Sequence, residues 1–176
     1  GPERLKELEP HATGVMALHS PNTGIVDYTD VTNAYARKFL DGGGEVITGG
    51  KLFGISQKQG IISLSTTLGD IQTMRLINCA GLYADTVARM AGVKKSVQII
   101  PFRGEYYILA PEISHLVKNM IYPVPNPKLP FLGVHLTRTI HRVVEAGPNA
   151  VLALAREGYT MGNVNLRETL ETFAYS

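Results

Sequence analysis

Hydrophobic and polar positions along the 176 residues change their period several times, and each change predicts an element. Arg4 to Glu9 reads as a short helical turn stopped by Pro10, whose ring cannot continue a helix. Gly14 to Leu18 reads as a brief strand, followed by the turn cluster Ser20-Pro21-Asn22-Thr23-Gly24. Val31, Ala34, Tyr35, Lys38 and Phe39 then fall at helical spacing, with Asp27 or Thr29 as the cap and Gly42-Gly43-Gly44 as the stop. From Glu45 the period becomes two. Segments 45–48, 51–57, 61–66 and 72–78 read as short strands separated by glycine-containing turns.

The stretch Leu76–Val93 (LINCAGLYADTVARMAGV) organises this pattern. An apolar run meets the small residues Cys79, Ala80 and Gly81, and a helix over 85–91 follows at once. Such a strand–turn–helix lets a bulky group approach the backbone and offers helix N–H groups to an anion. It equally describes an ordinary turn with small residues for packing. Cys79 reads as a buried filler, since no base stands beside it. Beyond it, 97–110 is strand-like with a bend at Pro101 and Gly104, and Pro111 opens a short segment to Lys118. The four prolines of 122–130 demand an extended connection. Strands are expected over 131–137, 142–146 and 150–155, and an amphipathic helix over 165–172. The fold class is therefore α/β (α+β), with the meander as an excursion from a sheet to which 76–78 returns.

Composition narrows the function classes. A hydrophobic share of 44% with 18% charged residues is ordinary for a globular chain. A net charge of +2 with no basic cluster argues against nucleic acid as a partner. No apolar run approaches the roughly 20 residues that span a bilayer. One cysteine excludes an internal disulfide and fits a reducing compartment. The five histidines (11, 19, 115, 135 and 141) show no metal-ligand spacing, so no metal is expected.

Three side chains on the later strands carry chemistry. His135 in FLGVHLTR can take a proton near neutral pH, as oxidation of a hydroxyl carbon requires. Arg103 in FRGEYY and Arg138 can each hold a carboxylate by a two-point contact. His135 and Thr137 share one face of a strand and Arg138 takes the other unless the strand bends. Either of Tyr106 and Tyr107 can line a pocket while its neighbour packs in the core. The plain alternatives are a satisfied core histidine and an arginine paired with Glu105.

Together these segments resemble the L-2-hydroxyglutarate dehydrogenase/oxidase family, within the flavoproteins related to D-amino acid oxidases. The matching stretches are GIVDYTDV (24–31), NCAGLYAD (78–85), PFRGEYYILAPE (101–112), IYPVPNPKLPFLGVHLTR (121–138) and GPNAVLALAREGY (147–159). The resemblance implies an FAD domain of dinucleotide-binding type interleaved with a substrate domain whose mixed sheet covers the flavin. It implies oxidation of L-2-hydroxyglutarate to 2-oxoglutarate, with hydride passing to FAD and electrons then to a quinone or oxygen. Carried over, Ala80 and Gly81 approach the FAD; Arg103, Tyr107 and Arg138 are substrate-binding candidates; His135 is the expected base. The domains expected on this basis are 1–44 (linking helices and a strand), 45–95 (meander and returning strand–helix of the FAD domain) and 96–176 (substrate domain).

Two departures stand out. No G-x-G-x-x-G occurs in the sequence, so the chain reads as a central piece that by itself neither holds FAD tightly nor turns over. The turn after Thr139-Ile140 is His141-Arg142 where the family has Asp-Gly, and neither residue favours positive φ. Exposed sheet edges leave oligomerisation possible, and the expected location is cytoplasmic or peripheral to a membrane, mitochondrial in a eukaryote. The competing readings are another flavoprotein of the wider group, acting on an amino acid or glycerol phosphate, and a non-catalytic binding module.

Overall fold

The computed structural model describes residues 1–94, 97–128 and 133–175. The chain forms two compact units, one of residues 1–39 and 103–151, the other of 40–102 and 152–176. These divisions fall at other places than the boundaries 44/45 and 95/96 expected from sequence, because the chain leaves each unit and returns to it.

In the first unit, α1 (Pro2–Leu8) starts on Pro2 and ends at Glu9. Glu9 is buried, and its carboxylate accepts from the Lys118 N–H at 3.1 Å and from both the backbone and side-chain nitrogens of Asn119. Helix α2 (Tyr28–Asp41) is capped as the sequence predicts, with the Thr29 N–H donating to Asp27 Oδ1 at 2.7 Å. That bond to Thr29 holds the Asp27 carboxyl below the usual carboxylate range. The expected strand at 14–18 does not form. Val15, Met16 and Leu18 are exposed, and apolar residues without a neighbouring ladder gain nothing from extended pairing.

The sheet of this unit has the order β5–β7–β6, from β5 (Tyr107–Ile108), β6 (His135–Arg138) and β7 (Val144–Gly147). Both pairings are antiparallel. Val144 at its centre is fully buried. The β6–β7 hairpin closes by Arg142 N–H to the Thr139 carbonyl at 3.0 Å and Thr139 N–H to the Val143 carbonyl at 2.8 Å. Arg142 sits there at φ +63°, so the loop keeps the positive-φ position with a residue that disfavours it. The expected strand at 131–137 begins only at His135, and 131 and 132 lie outside the described residues.

In the second unit, β1 (Leu52–Lys58), β2 (Ile61–Thr66) and β3 (Gly69–Thr73) form an antiparallel meander in that order. Its first hairpin turns at Gln59 and Gly60, both at positive φ. No strand forms at 45–48 or at 74–78, so the apolar run before Cys79 does not join a sheet among the described residues. A 3₁₀ turn (Gly81–Tyr83) leads into α3 (Ala84–Met90), and α4 (Leu166–Phe173) is capped by Asn165, whose side chain accepts from the Glu168 N–H. The short strands β4 (Phe102–Arg103) and β8 (Val151–Leu152) lie where the chain passes between units. Within the strand expected at 97–110, Gly104 separates β4 from β5, and of the strand expected at 150–155 only β8 forms.

Candidate functional site

Register assigns the candidate side chains to faces of the β5–β7–β6 sheet. His135 stands opposite Gly147 and Thr137 opposite Glu145, while Leu136 and Tyr107 both stand opposite Ala146. Directly opposed residues share a face. One face therefore carries His135, Thr137, Glu145 and Ile108; the other carries Tyr107, Leu136 and Arg138. Of the candidates on this sheet, His135 is not brought together with Tyr107 or Arg138.

Tyr107 is 84% exposed and reaches solvent. Arg138 Nη1 donates to the carbonyls of Ser114 at 3.2 Å and Val117 at 2.6 Å, which fastens the 3₁₀ turn Pro111–Leu116 to β6. Arg103 is largely buried and gives Nε and Nη2 to Glu105 Oε1 at 3.2 and 2.8 Å. Asn149 completes this cluster, donating from Nδ2 to Glu105 Oε2 at 3.0 Å and accepting from the Glu105 N–H. The Arg103 guanidinium first, and Asn149 second, hold the Glu105 carboxyl below its usual range.

His135 occupies an aromatic slot. Its ring stacks on Tyr122 with centroids 4.5 Å apart and 28° between planes, and meets Tyr106 edge-on at 6.3 Å. The bridge between Ile121 and Leu136 brings Tyr122 beside His135. Gly147 makes room for Tyr106: a Cβ at 147 would lie 2.6 Å from Tyr106 Cδ1 and 2.8 Å from the Glu105 carbonyl oxygen. His135 Nδ1 is buried with no hydrogen-bond partner. Aromatic packing, not a hydrogen bond to Nδ1, thus fixes the ring. Tyr122 escaped the sequence reading because its link to His135 is a register fact; Tyr106 was one of two open alternatives.

The Ala80–Gly81 turn lies in the second unit. Asn78 ties it locally, accepting from the Ala80 N–H at 3.2 Å and donating to the Ala84 carbonyl at 2.8 Å. Gly81 has φ +52°, and a Cβ there would meet nothing within 4 Å. Bare backbone facing open space fits the close approach of a bulky cofactor such as FAD. Cys79 is exposed rather than a buried filler.

Behind this turn is a feature that the sequence reading missed. Arg156 and Asp85, both buried, form a two-point ion pair with Nη1–Oδ1 and Nη2–Oδ2 each at 2.7 Å. Arg156 Nη1 also donates to the Leu82 carbonyl, and the Ile99 N–H donates to Asp85 Oδ2 at 3.3 Å. Burial pushes the Asp85 carboxyl up, but Arg156 and the Ile99 N–H outweigh it and leave it below the usual range. The pair pins the 3₁₀ turn and α3 to the 153–158 segment. No group of three or more potential metal ligands exists among the described residues.

The chain is 51% identical over 175 residues to the L-2-hydroxyglutarate dehydrogenase of Indibacter alkaliphilus, covering 98% of this chain and 44% of that protein. It is 44% identical to the L-2-hydroxyglutarate dehydrogenase of Escherichia coli K12, covering 99% and 42%, and 38% identical to the mitochondrial one of Mus musculus, covering 99% and 40%. The chain thus spans less than half the length of these relatives. In fold it is similar to the crystal structure of L-proline dehydrogenase from P. horikoshii, with a TM-score of 0.67 at 22% identity, covering 98% of this chain and 46% of that one. The model of the FAD dependent oxidoreductase family (DAO) matches residues 1–174, and the chain belongs to that family.

Proposed function

We propose that the protein carrying this chain oxidises L-2-hydroxyglutarate to 2-oxoglutarate, with His135 receiving the hydroxyl proton. The reading is carried by identity of 38–51% over nearly the whole chain to relatives that bear that activity in their names. Support from geometry comes from His135, an imidazole with a buried, unpartnered nitrogen held rigid between two tyrosines. FAD, when bound, supplies a two-electron acceptor for the hydride leaving C2. Ala80 and Gly81 are the residues of this chain proposed to lie against it.

The substrate has two carboxylates, so at least one cation must face it. Arg103 is the proposed anchor, its Glu105 and Asn149 partners holding the guanidinium in a fixed plane. Arg138 spends Nη1 on two carbonyls and Tyr107 lies on the face away from His135. Their proposed part in binding is therefore indirect, through the sheet. The final acceptor is proposed to be a quinone or oxygen. Several eukaryotic relatives are named as mitochondrial, and a location of that kind is proposed for a eukaryotic source. No described helix is long and apolar enough to cross a membrane.

Steady-state oxidation with an artificial electron acceptor tests the proposal. The FAD-loaded protein should prefer L-2-hydroxyglutarate over its D enantiomer and over L-2-amino acids. Arg103→Ala should raise KM about tenfold or more, the usual cost of losing one charged hydrogen-bonding partner. A preference for an amino acid would instead favour another activity of the same family.

A further inference from the structure

Among the described residues, four buried side-chain polar atoms have no hydrogen-bond partner: His135 Nδ1, Thr137 Oγ1, Thr139 Oγ1 and Gln98 Oε1. Three of the four fall at alternate positions of one strand and its immediate continuation. Alternate residues point to one face, so these atoms form a row. Buried polar groups are nearly always paired, and chance does not place three exceptions in register. A row of unpaired donors and acceptors is what a ligand-binding surface presents before its ligand arrives.

Two residues of the row, Thr137 and Thr139, line a groove of about 290 Å³ together with Ile25, Val26, Tyr28 and His141, and His135 precedes them on the same face. Its chemistry limits the ligand. The row offers one imidazole and two hydroxyls, and Arg138 lines the groove as well. Glu145 stands directly across from Thr137. Asp27, also on the groove, is engaged by the Thr29 N–H at 2.7 Å. A secondary alcohol, or the ketone it becomes, suits a hydroxyl donor there, since its oxygen accepts a hydrogen bond in either state.

We propose that Thr137 is a substrate-binding residue, donating its hydroxyl to the C2 oxygen of a 2-hydroxy acid that lies along the His135–Thr139 face. This rests on the assignment of His135 as the proton acceptor. His135 and Thr137 are alternate residues on one face. Binding requires rotation about the Thr137 χ1 to a staggered rotamer that turns the buried hydroxyl toward the groove.

The test uses the FAD-loaded protein with Thr137→Val, which keeps shape and removes the hydroxyl, and Thr137→Ser, which keeps the hydroxyl. Thr137→Val should lower kcat/KM on L-2-hydroxyglutarate by about tenfold or more, and Thr137→Ser should stay within about threefold of wild type. The melting temperature of Thr137→Val should equal or exceed that of wild type, since an unpaired buried hydroxyl is gone. A structural hydroxyl would give the opposite: normal kinetics, or a kinetic loss that follows a lowered melting temperature in both variants. Either result overturns the proposal. If the wild type does not oxidise L-2-hydroxyglutarate, the reaction proposed above fails, and ligand-induced stabilisation decides about Thr137. A melting shift produced by 2-oxoglutarate in the wild type and lost in Thr137→Val sustains the proposal. The same shift in both, or in neither, overturns it.

Discussion

Gly147 and Arg142 show how much single positions carry in the sheet that bears His135. Gly147 lies where any Cβ would strike Tyr106 at 2.6 Å and a backbone oxygen at 2.8 Å. Neither neighbour can yield easily, one being a packed ring and the other main chain. Gly147→Ala should therefore lose about 1–3 kcal/mol in chemical denaturation, the usual range for overpacking. It should also displace Tyr106 from the edge of His135. Arg142 is the reverse case. Its φ of +63° costs a side-chain-bearing residue about 1–2 kcal/mol, while a glycine there adds about 0.5–1 kcal/mol of backbone entropy loss on folding. The first term wins, so Arg142→Gly should stabilise by about 0.5 kcal/mol. A lower denaturation midpoint for that variant would contradict this account of the hairpin.

Individual elements differ in how far local sequence determines them. The meander was legible because period-two alternation and glycine turns specify both strands and register within a few residues of each other; β2 forms over 61–66 as expected. Helix α2 was legible from its Asp27 cap and the glycines after it. Segments 14–18, 45–48 and 76–78 carry similar apolar patterns yet form no strand, because a strand needs a partner that its own sequence cannot supply. For the site, His135 and Arg103 could be picked out by residue type. The sheet faces, the Tyr122 stack and the Asp85–Arg156 pair could not, since 71 residues separate that last pair.

The Asp85–Arg156 pair also sets a pH response for the second unit. The Asp85 carboxyl is depressed in the folded chain, so its contribution is fully present above the unfolded value near 4. As pH falls through the lower folded value, that contribution is lost. Stability measured from pH 6 downward should therefore decline below about pH 4 in wild type and decline less in an Asp85→Asn variant. Asp85→Asn itself should cost about 3–5 kcal/mol at neutral pH, because it leaves Arg156 buried without a counter-charge. Replacing both residues by apolar ones of similar volume should cost much less.

At the scale of the whole chain, surface area is the informative quantity. Among the described residues Val117, Val144 and Ala153 are the buried hydrophobic ones, while Val15, Leu18, Met74, Ile77 and Met161 are each more than four-fifths exposed. Apolar surface of this extent calls for cover by further protein. The chain also spans less than half of its relatives' length. Expressed alone, the 176 residues should bind a hydrophobic dye such as ANS strongly and melt with a calorimetric enthalpy well below the roughly 0.7 kcal/mol per residue of compact proteins. A sharp transition of full enthalpy with no dye binding would show that the chain covers these faces by itself.

The central claim is that His135 takes the proton when a 2-hydroxy acid reduces the flavin. Anaerobic mixing of the FAD-loaded protein with L-2-hydroxyglutarate, followed by the flavin absorbance, tests it without any second substrate. The L enantiomer should bleach the flavin rapidly, and bleaching should be about a hundredfold or more slower in His135→Ala, with FAD retained. Bleaching at the wild-type rate in His135→Ala would contradict the role of His135. No bleaching of the wild type would contradict the reaction itself.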